Sequence, residues 1–234
     1  MSETLQSQSY EIIRRGIILS RYVPGSRINL KVLCDEIGMG RTPVREALVR
    51  LQQEGLVETV PQSGTYVSKI DLKASESARF IREHLEQKVA IEACTKVTEE
   101  HAELLRSIIK GQEEAVAASD SLLFFETDNK LHQTLYDISG YGNIWLWLDK
   151  IDTHLDRLRW LSFSVTNADW RRTVAQHRAI AEAVIAHNPN EASYQATKHM
   201  HNLLIDKFAI MRTYPAYFSA ESLQEAGLGE LVEE

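Results

Sequence analysis

Asp128 and His132 lie four residues apart, so on a helix both side chains project from one face. His177 stands in the apolar helical stretch Gln176-His177-Arg178-Ala179-Ile180, and His199 lies further along in the last long helical stretch. One carboxylate and three imidazoles are suitable ligands for a divalent first-row ion. Ligands carried on several helices of a bundle converge readily on its interior. The same residues admit plainer readings. Asp128 and His132 equally fit an i,i+4 hydrogen bond, and histidines also stand at positions 84, 101, 154, 187 and 201, so some convenient spacing is expected by chance. His199 and His201 are two apart and point to different sides, so at most one of them joins a cluster.

A second group sits near the N-terminus. Arg41-Thr42-Pro43 opens a helical stretch and Arg45 follows one turn later. Arginine can donate two hydrogen bonds to guanine in a major groove, while threonine and backbone amides hold phosphates. The positive end of a helix dipole favours phosphate at the same place. Lys31 opens the preceding helix within reach of a DNA backbone, and Gly64 allows a turn tip to come close to a minor groove. Arg50 reads either as a phosphate contact or as a solvated charge.

The elements that must position these residues follow from periodicity. Ser9–Arg21 is amphipathic, and Pro24-Gly25 ends it. A helix over about 30–36 leads through Gly38-Met39-Gly40 to a second helix, with Pro43 in its first turn and a core stripe of Val44, Ala47, Leu48 and Leu51. Leu56–Val60 and Thr65–Ile70, joined by Pro61-Gln62-Ser63-Gly64, predict a β-hairpin wing. This is the layout of a winged helix-turn-helix. Asp71-Leu72-Lys73 reads as a linker. Strand signals then vanish, and helices are predicted near 75–96, 98–118, 120–138, 143–161, 168–187 and 189–212. Asn167 or Asp169 is a predicted cap of the fifth of these and Asn188 of the sixth, with Pro189 at a first helical position. The fold class is mostly α: a winged head over 1–70, an all-α helical-bundle domain over 74–215, and an acidic, glycine-interrupted tail over 216–234 expected to be loosely ordered.

A chain of 234 residues with 44% hydrophobic and 25% charged residues is of ordinary globular composition. Its net charge of -7 is unevenly spread. Residues 1–70 hold nine basic and seven acidic residues, a net of +2, and the rest hold 17 and 26, a net of -9. A mildly basic head on an acidic body fits a localised phosphate-binding face. Two cysteines give no disulfide framework, no apolar run is long enough to span a membrane, and no signal-peptide layout is present, so the expected setting is the cytoplasm.

Tyr22-Val23-Pro24-Gly25-Ser26-Arg27-Ile28, Arg41-Thr42-Pro43-Val44-Arg45-Glu46-Ala47-Leu48 and Gln62-Ser63-Gly64-Thr65-Tyr66-Val67 resemble the N-terminal winged domain of GntR-family transcriptional regulators, over about residues 9–70. The resemblance implies DNA contacts at Lys31, Arg41, Thr42, Arg45 and Gly64, and a homodimer on double-stranded operator DNA with dyad symmetry. Two recognition helices on successive major-groove faces need such a dimer. Arg82 within Ile81-Arg82-Glu83-His84-Leu85-Glu86, then Asp128-Asn129-Lys130-Leu131-His132, His177-Arg178-Ala179-Ile180 and Lys198-His199-Met200, resemble the FCD effector domain of the FadR subfamily. That resemblance implies a divalent transition metal, of the zinc, nickel or manganese class, on Asp128, His132, His177 and His199, beside a small carboxylate effector such as an organic or sugar acid. The doubled histidine at 199 and 201 departs from the pattern, and register favours His199. Arg82 suits an effector carboxylate, and equally a salt bridge with Glu86 at i+4. Repression relieved by effector is the sense implied. The rivals are a metal-dependent hydrolase, in which the ion activates water, and a regulator with a purely structural metal or none.

Overall fold

The computed structural model describes residues 4–165, 170–202 and 207–232. In chain order the elements are α1 (Leu5–Ile18), α2 (Leu30–Ile37), α3 (Arg41–Gln53), β1 (Val57–Val60), β2 (Gly64–Val67), α4 (Leu72–Lys96), α5 (Glu99–Ala118), α6 (Ser121–Ser139), α7 (Gly142–Ile151), α8 (Thr153–Val165), α9 (Trp170–Ile185), α10 (Pro189–Asn202), α11 (Lys207–Thr213) and α12 (Ala220–Glu225). The chain is mostly α, with a winged helix-turn-helix at its N-terminus and a helical domain after it. It divides into two compact units.

The first unit takes the residues up to Ser75 together with Thr153–Leu161 and the chain from Phe208 onward. Tyr10, Ile13 and Ile17 recur at helical spacing and are buried on the inner face of α1. That helix starts earlier than its periodicity suggests, because the Thr4 hydroxyl accepts from the Ser7 amide. It ends earlier too, before Ser20, which takes a left-handed φ of 56°. Asn29 caps α2 by accepting from the Lys31 and Val32 amides, and Gly38, at φ 68°, ends it. Of the predicted stripe, Val44, Ala47 and Leu51 are fully buried on α3 and Leu48 is half-buried against them. β1 and β2 pair antiparallel, Val57 against Val67 through Val60 against Gly64. The second strand stops at Val67, short of the predicted Ile70. Pro24–Ile28 lies along the wing: the Ile28 amide donates to Thr65 O at 2.8 Å and the Val67 amide to Ser26 O at 2.9 Å.

As far as Val232 the tail is not loose, contrary to expectation. Phe218 is fully buried. The Ile70 amide donates to Tyr217 O, the Ser219 amide returns the bond to Ile70 O, and the Leu72 amide donates to Ser222 Oγ. One buried aromatic ring and three hydrogen bonds to Ile70 and Leu72 outweigh an acidic, glycine-containing composition.

The second unit comprises Glu76–Asp152 and Ser162–Lys207. Its core is a single cluster that includes Leu105 of α5, Phe124 and Leu131 of α6, Ile180 and Val184 of α9 and Ala196 of α10. Asp120 caps α6 by accepting from the Leu123 amide. Gly140, at φ 85°, closes its other end, where Lys96 Nζ donates to Ser139 O at 2.5 Å. Asn188 caps α10 at the Glu191 amide. The helix predicted over 143–161 is two, α7 and α8. The break falls at Asp152, a poor helix interior residue whose buried carboxylate lies 3.6 Å from Arg82 Nε. The caps predicted at Asn167 and Asp169 lie outside the described residues, as do residues 203–206 of the helix predicted over 189–212.

Candidate metal centre and DNA interface

α6, α9 and α10 each bring one imidazole into the interior of the second unit. His132, His177 and His199 are all buried, and one nitrogen of each lies within 4.8 Å of the others. His177 Nε2 is 3.3 Å from His199 Nε2. Asp128, one turn before His132 on α6, reaches two of the three: Oδ1 is 3.6 Å from His177 Nε2 and Oδ2 is 3.8 Å from His132 Nε2. His201 instead stands exposed, with Nδ1 3.0 Å from Glu83 Oε1.

The other ring nitrogens are held from behind. His177 Nδ1 lies 2.9 Å from Gln112 Oε1, His199 Nδ1 lies 3.1 Å from Gln176 Oε1, and His132 Nδ1 lies 2.8 Å from Glu86 Oε2. For His177 and His199 the oxygen acceptor at Nδ1 fixes the proton there and leaves the Nε2 lone pair aimed inward, the arrangement a metal-binding imidazole needs; the Glu86 contact to His132 is close but is not a formed hydrogen bond. Burial, together with the neighbouring His177 and His132 rings, pushes the His199 imidazole well below its ordinary range, so it is neutral at pH 7.

This donor set fits a divalent ion on two counts. Ligand atoms sharing an ion at about 2.1 Å stand roughly 3.0–3.4 Å apart; the His177–His199 separation of 3.3 Å falls in that range, and the Asp128 oxygens, at 3.6 and 3.8 Å from the imidazoles, lie just beyond it. Among the described residues, the buried charged groups of this unit are the carboxyls of Glu86, Asp128 and Asp152 against one guanidinium, Arg82. A divalent cation beside them would lower the cost of burying those carboxylates in a low-dielectric interior.

Arg82 is fully buried and already engaged. Nε and Nη2 donate to Glu86 Oε1 at 2.8 and 2.5 Å, Asp152 is the second carboxylate beside it, and the Trp145 ring centroid is 5.5 Å away. Burial would raise the Glu86 carboxyl, but Arg82 and His132 beside it hold it well below the usual carboxylate range. Glu86 therefore links the guanidinium to the imidazole cluster. Trp145 lies against His132 with rings nearly parallel, 6.5 Å apart, whereas Trp147 points to solvent.

On the first unit, α3 exposes Arg41, Thr42 and Arg45 opposite its buried stripe, and Lys31 is exposed on α2. The α3 N-terminus has no side-chain cap, Pro43 has no N–H and the Val44 amide donates to Gly40 O, which leaves the Arg41 and Thr42 amides to serve an outside acceptor. Arg50 is not a free charge. Its guanidinium lies 3.5 Å from the Tyr10 ring centroid and pairs with Glu54, which also accepts from the Tyr10 hydroxyl at 2.6 Å. Gly64 has φ 147°, and a Cβ there would meet Arg27 Nε at 2.8 Å. Its lack of a side chain is thus already used by the wing itself.

Glu86, Gln112 and Gln176 were not among the residues the sequence singled out for the metal. Glu86 stood out only through its i+4 spacing from Arg82. A lone glutamine carries no signal until its burial is known.

Residues 5–67 match the bacterial regulatory proteins of the gntR family, and residues 78–202 match the FCD domain. The chain is 28% identical over 220 residues to the HTH-type transcriptional repressor RspR of Escherichia coli (strain K12), covering 94% of this chain and 96% of that protein. It is 31% identical over 217 residues to an HTH-type transcriptional regulator in an unstable DNA locus of Streptomyces ambofaciens, covering 91% and 89%. Among solved structures, E. coli McbR/YncC aligns with a TM-score of 0.78 at 18% identity, over 91% of this chain and all of that one, a likeness of fold.

Proposed function

The chain belongs to the gntR family of bacterial regulatory proteins, in its FCD-bearing branch, and from that premise we propose that it is a cytoplasmic homodimeric repressor whose hold on its operator is set by a small organic or sugar acid at a divalent metal. The regulator itself follows from the family; the metal, the acid and the dimer are the proposal. The observation that carries it is the buried cluster of His132, His177 and His199, with Nδ1 of His177 and His199 hydrogen-bonded to glutamine oxygens and Nδ1 of His132 2.8 Å from Glu86 Oε2.

Asp128, His132, His177 and His199 would hold the ion. When bound, it supplies open coordination positions for a carboxylate or hydroxyl oxygen. The rest is done by the chain. Glu86 lies against His132 and keeps Arg82 in one place. Arg82 can turn from Glu86 to an arriving carboxylate, which it binds in the same forked way. Trp145 and Tyr136 close the apolar side of the site. On the head, Arg45 reads a base edge, Arg41, Thr42 and Lys31 hold phosphates, and the wing tip at Gly64 approaches the minor groove.

The test starts from duplex sites selected from random DNA by the full-length protein. Operator affinity is then measured with zinc-loaded protein across a panel of organic and sugar acids. At least one acid is expected to weaken operator binding, and to lose that effect in His177→Ala and His199→Ala. An acid response unchanged in both variants would remove the metal from the mechanism, and turnover of a substrate by the loaded protein would favour a hydrolase.

A further inference from the structure

α5 and α9 clamp the metal cluster from one side and expose their other faces. Gln112 and His177 meet in the interior, while the next residues along, Glu113 and Arg178, pair on the surface. Beside that surface pair is a groove of about 430 Å³. Its floor is Val116, Ala117, Val174 and Ala175, and Arg171 completes its rim. The volume lies within the range of small-molecule sites.

The charges in the groove do not balance. Arg171 and Arg178 are seven residues apart, two turns along one face of α9, against the single carboxylate of Glu113. Glu113 is committed to Arg178. Arg171 has no hydrogen-bond or ion-pair partner among the described residues. It also stands in the first turn of a 16-residue helix, where the dipole adds positive potential.

We propose that this groove is a second ligand site, separate from the metal cluster, that takes a small amphipathic carboxylate. The acid group forks onto Arg171 and the tail lies on the valine and alanine floor. A floor of methyl groups offers nothing to the hydroxyls of a sugar acid, so the two sites differ in ligand class. Glu113 disfavours a dianion at the same rim.

The probe is octanoate, titrated calorimetrically into full-length zinc-loaded protein and into protein stripped by a chelator. Two variants are compared: Arg171→Ala removes the free guanidinium, and Ala117→Glu, at an exposed position, puts a carboxylate on the floor. Saturable binding to both the loaded and the stripped protein is expected, weakened about tenfold or more by each substitution. Three results would overturn the proposal. One is no saturable heat up to solubility. Another is binding that disappears on stripping yet survives Ala117→Glu, which would put octanoate at the metal. The third is an Ala117→Glu variant whose sedimentation mass changes while octanoate binding does not, which would make the face a contact between copies. If the cluster binds no metal at all, stripping changes nothing and the two substitutions still decide the groove.

Discussion

An imidazole ligand is only as good as the group behind it. Gln112 is fully buried and accepts from one ring nitrogen of His177, so its removal leaves that N–H without a partner and the ring free to turn. Gln112→Leu is expected to lower zinc affinity about 10–100-fold, measured by competition with a chromophoric chelator, with circular dichroism unchanged. Gln112→Glu keeps the acceptor for His177 but gives up the Nε2 donation to Thr127 O at 3.2 Å, so it should lose less affinity than Gln112→Leu; an equal loss in both would deny the His177 hydrogen bond a separate role. On the head the corresponding contrast is between two arginines. Arg45→Ala should cost about 1–3 kcal/mol in operator binding and relax base preference at one position. Arg50→Ala should instead lower thermal stability, because Arg50 is spent on Tyr10 and Glu54. The three histidines of the buried cluster were legible in the sequence as candidate ligands because few other side chains do that chemistry. Gln112 and Gln176 were not, since an amide gains its role only from being buried against a ring nitrogen.

Elements were legible where pattern and caps agreed. The buried stripe of α3, the Gly38 terminus of α2 and the Asn188 cap all follow local rules. The break at Asp152 and the ordered tail did not, because both depend on partners distant in sequence: Arg82 for the first, Ile70 and Leu72 for the second. α8 gives a pH-dependent case. His154 Nδ1 accepts from the Asp71 amide at 3.1 Å, so it must be unprotonated. Burial, and then the neighbouring Arg157, push the imidazole down to about 4 from the ordinary 6.5. The unfolded chain therefore binds the extra proton between those values. The stability tied to neutral His154 is complete above about pH 6.5 and is lost as pH falls toward 4. Urea unfolding from pH 8 to pH 4 should show the native protein losing its advantage over His154→Gln across that window, and parallel profiles would deny His154 the role.

At the scale of the whole chain, the sequence could announce two expected tasks, phosphate binding by a mildly basic head and acid sensing by a helical body. It could not announce their coupling, because coupling is a difference in free energy between states rather than a property of any segment. Stripping the metal tests the first half. If zinc is bound, its removal takes a cation from beside the buried carboxyls, and a ligand held at 100 times its dissociation constant is worth about 2.7 kcal/mol, or roughly 5–10 °C in a chain of this size. Removal of zinc should lower the melting temperature by that order and leave the His177→Ala variant unmoved. The second half rests on reciprocity. If an acid lowers operator affinity by some factor, bound operator must lower acid affinity by the same factor. Both can be measured on one zinc-loaded sample, by anisotropy of labelled operator and by calorimetry of the acid with and without saturating duplex. Equal factors of about 5–150 would establish the switch. An acid that binds equally well with and without operator would leave the body of this chain without control over its head, however tightly the acid is held.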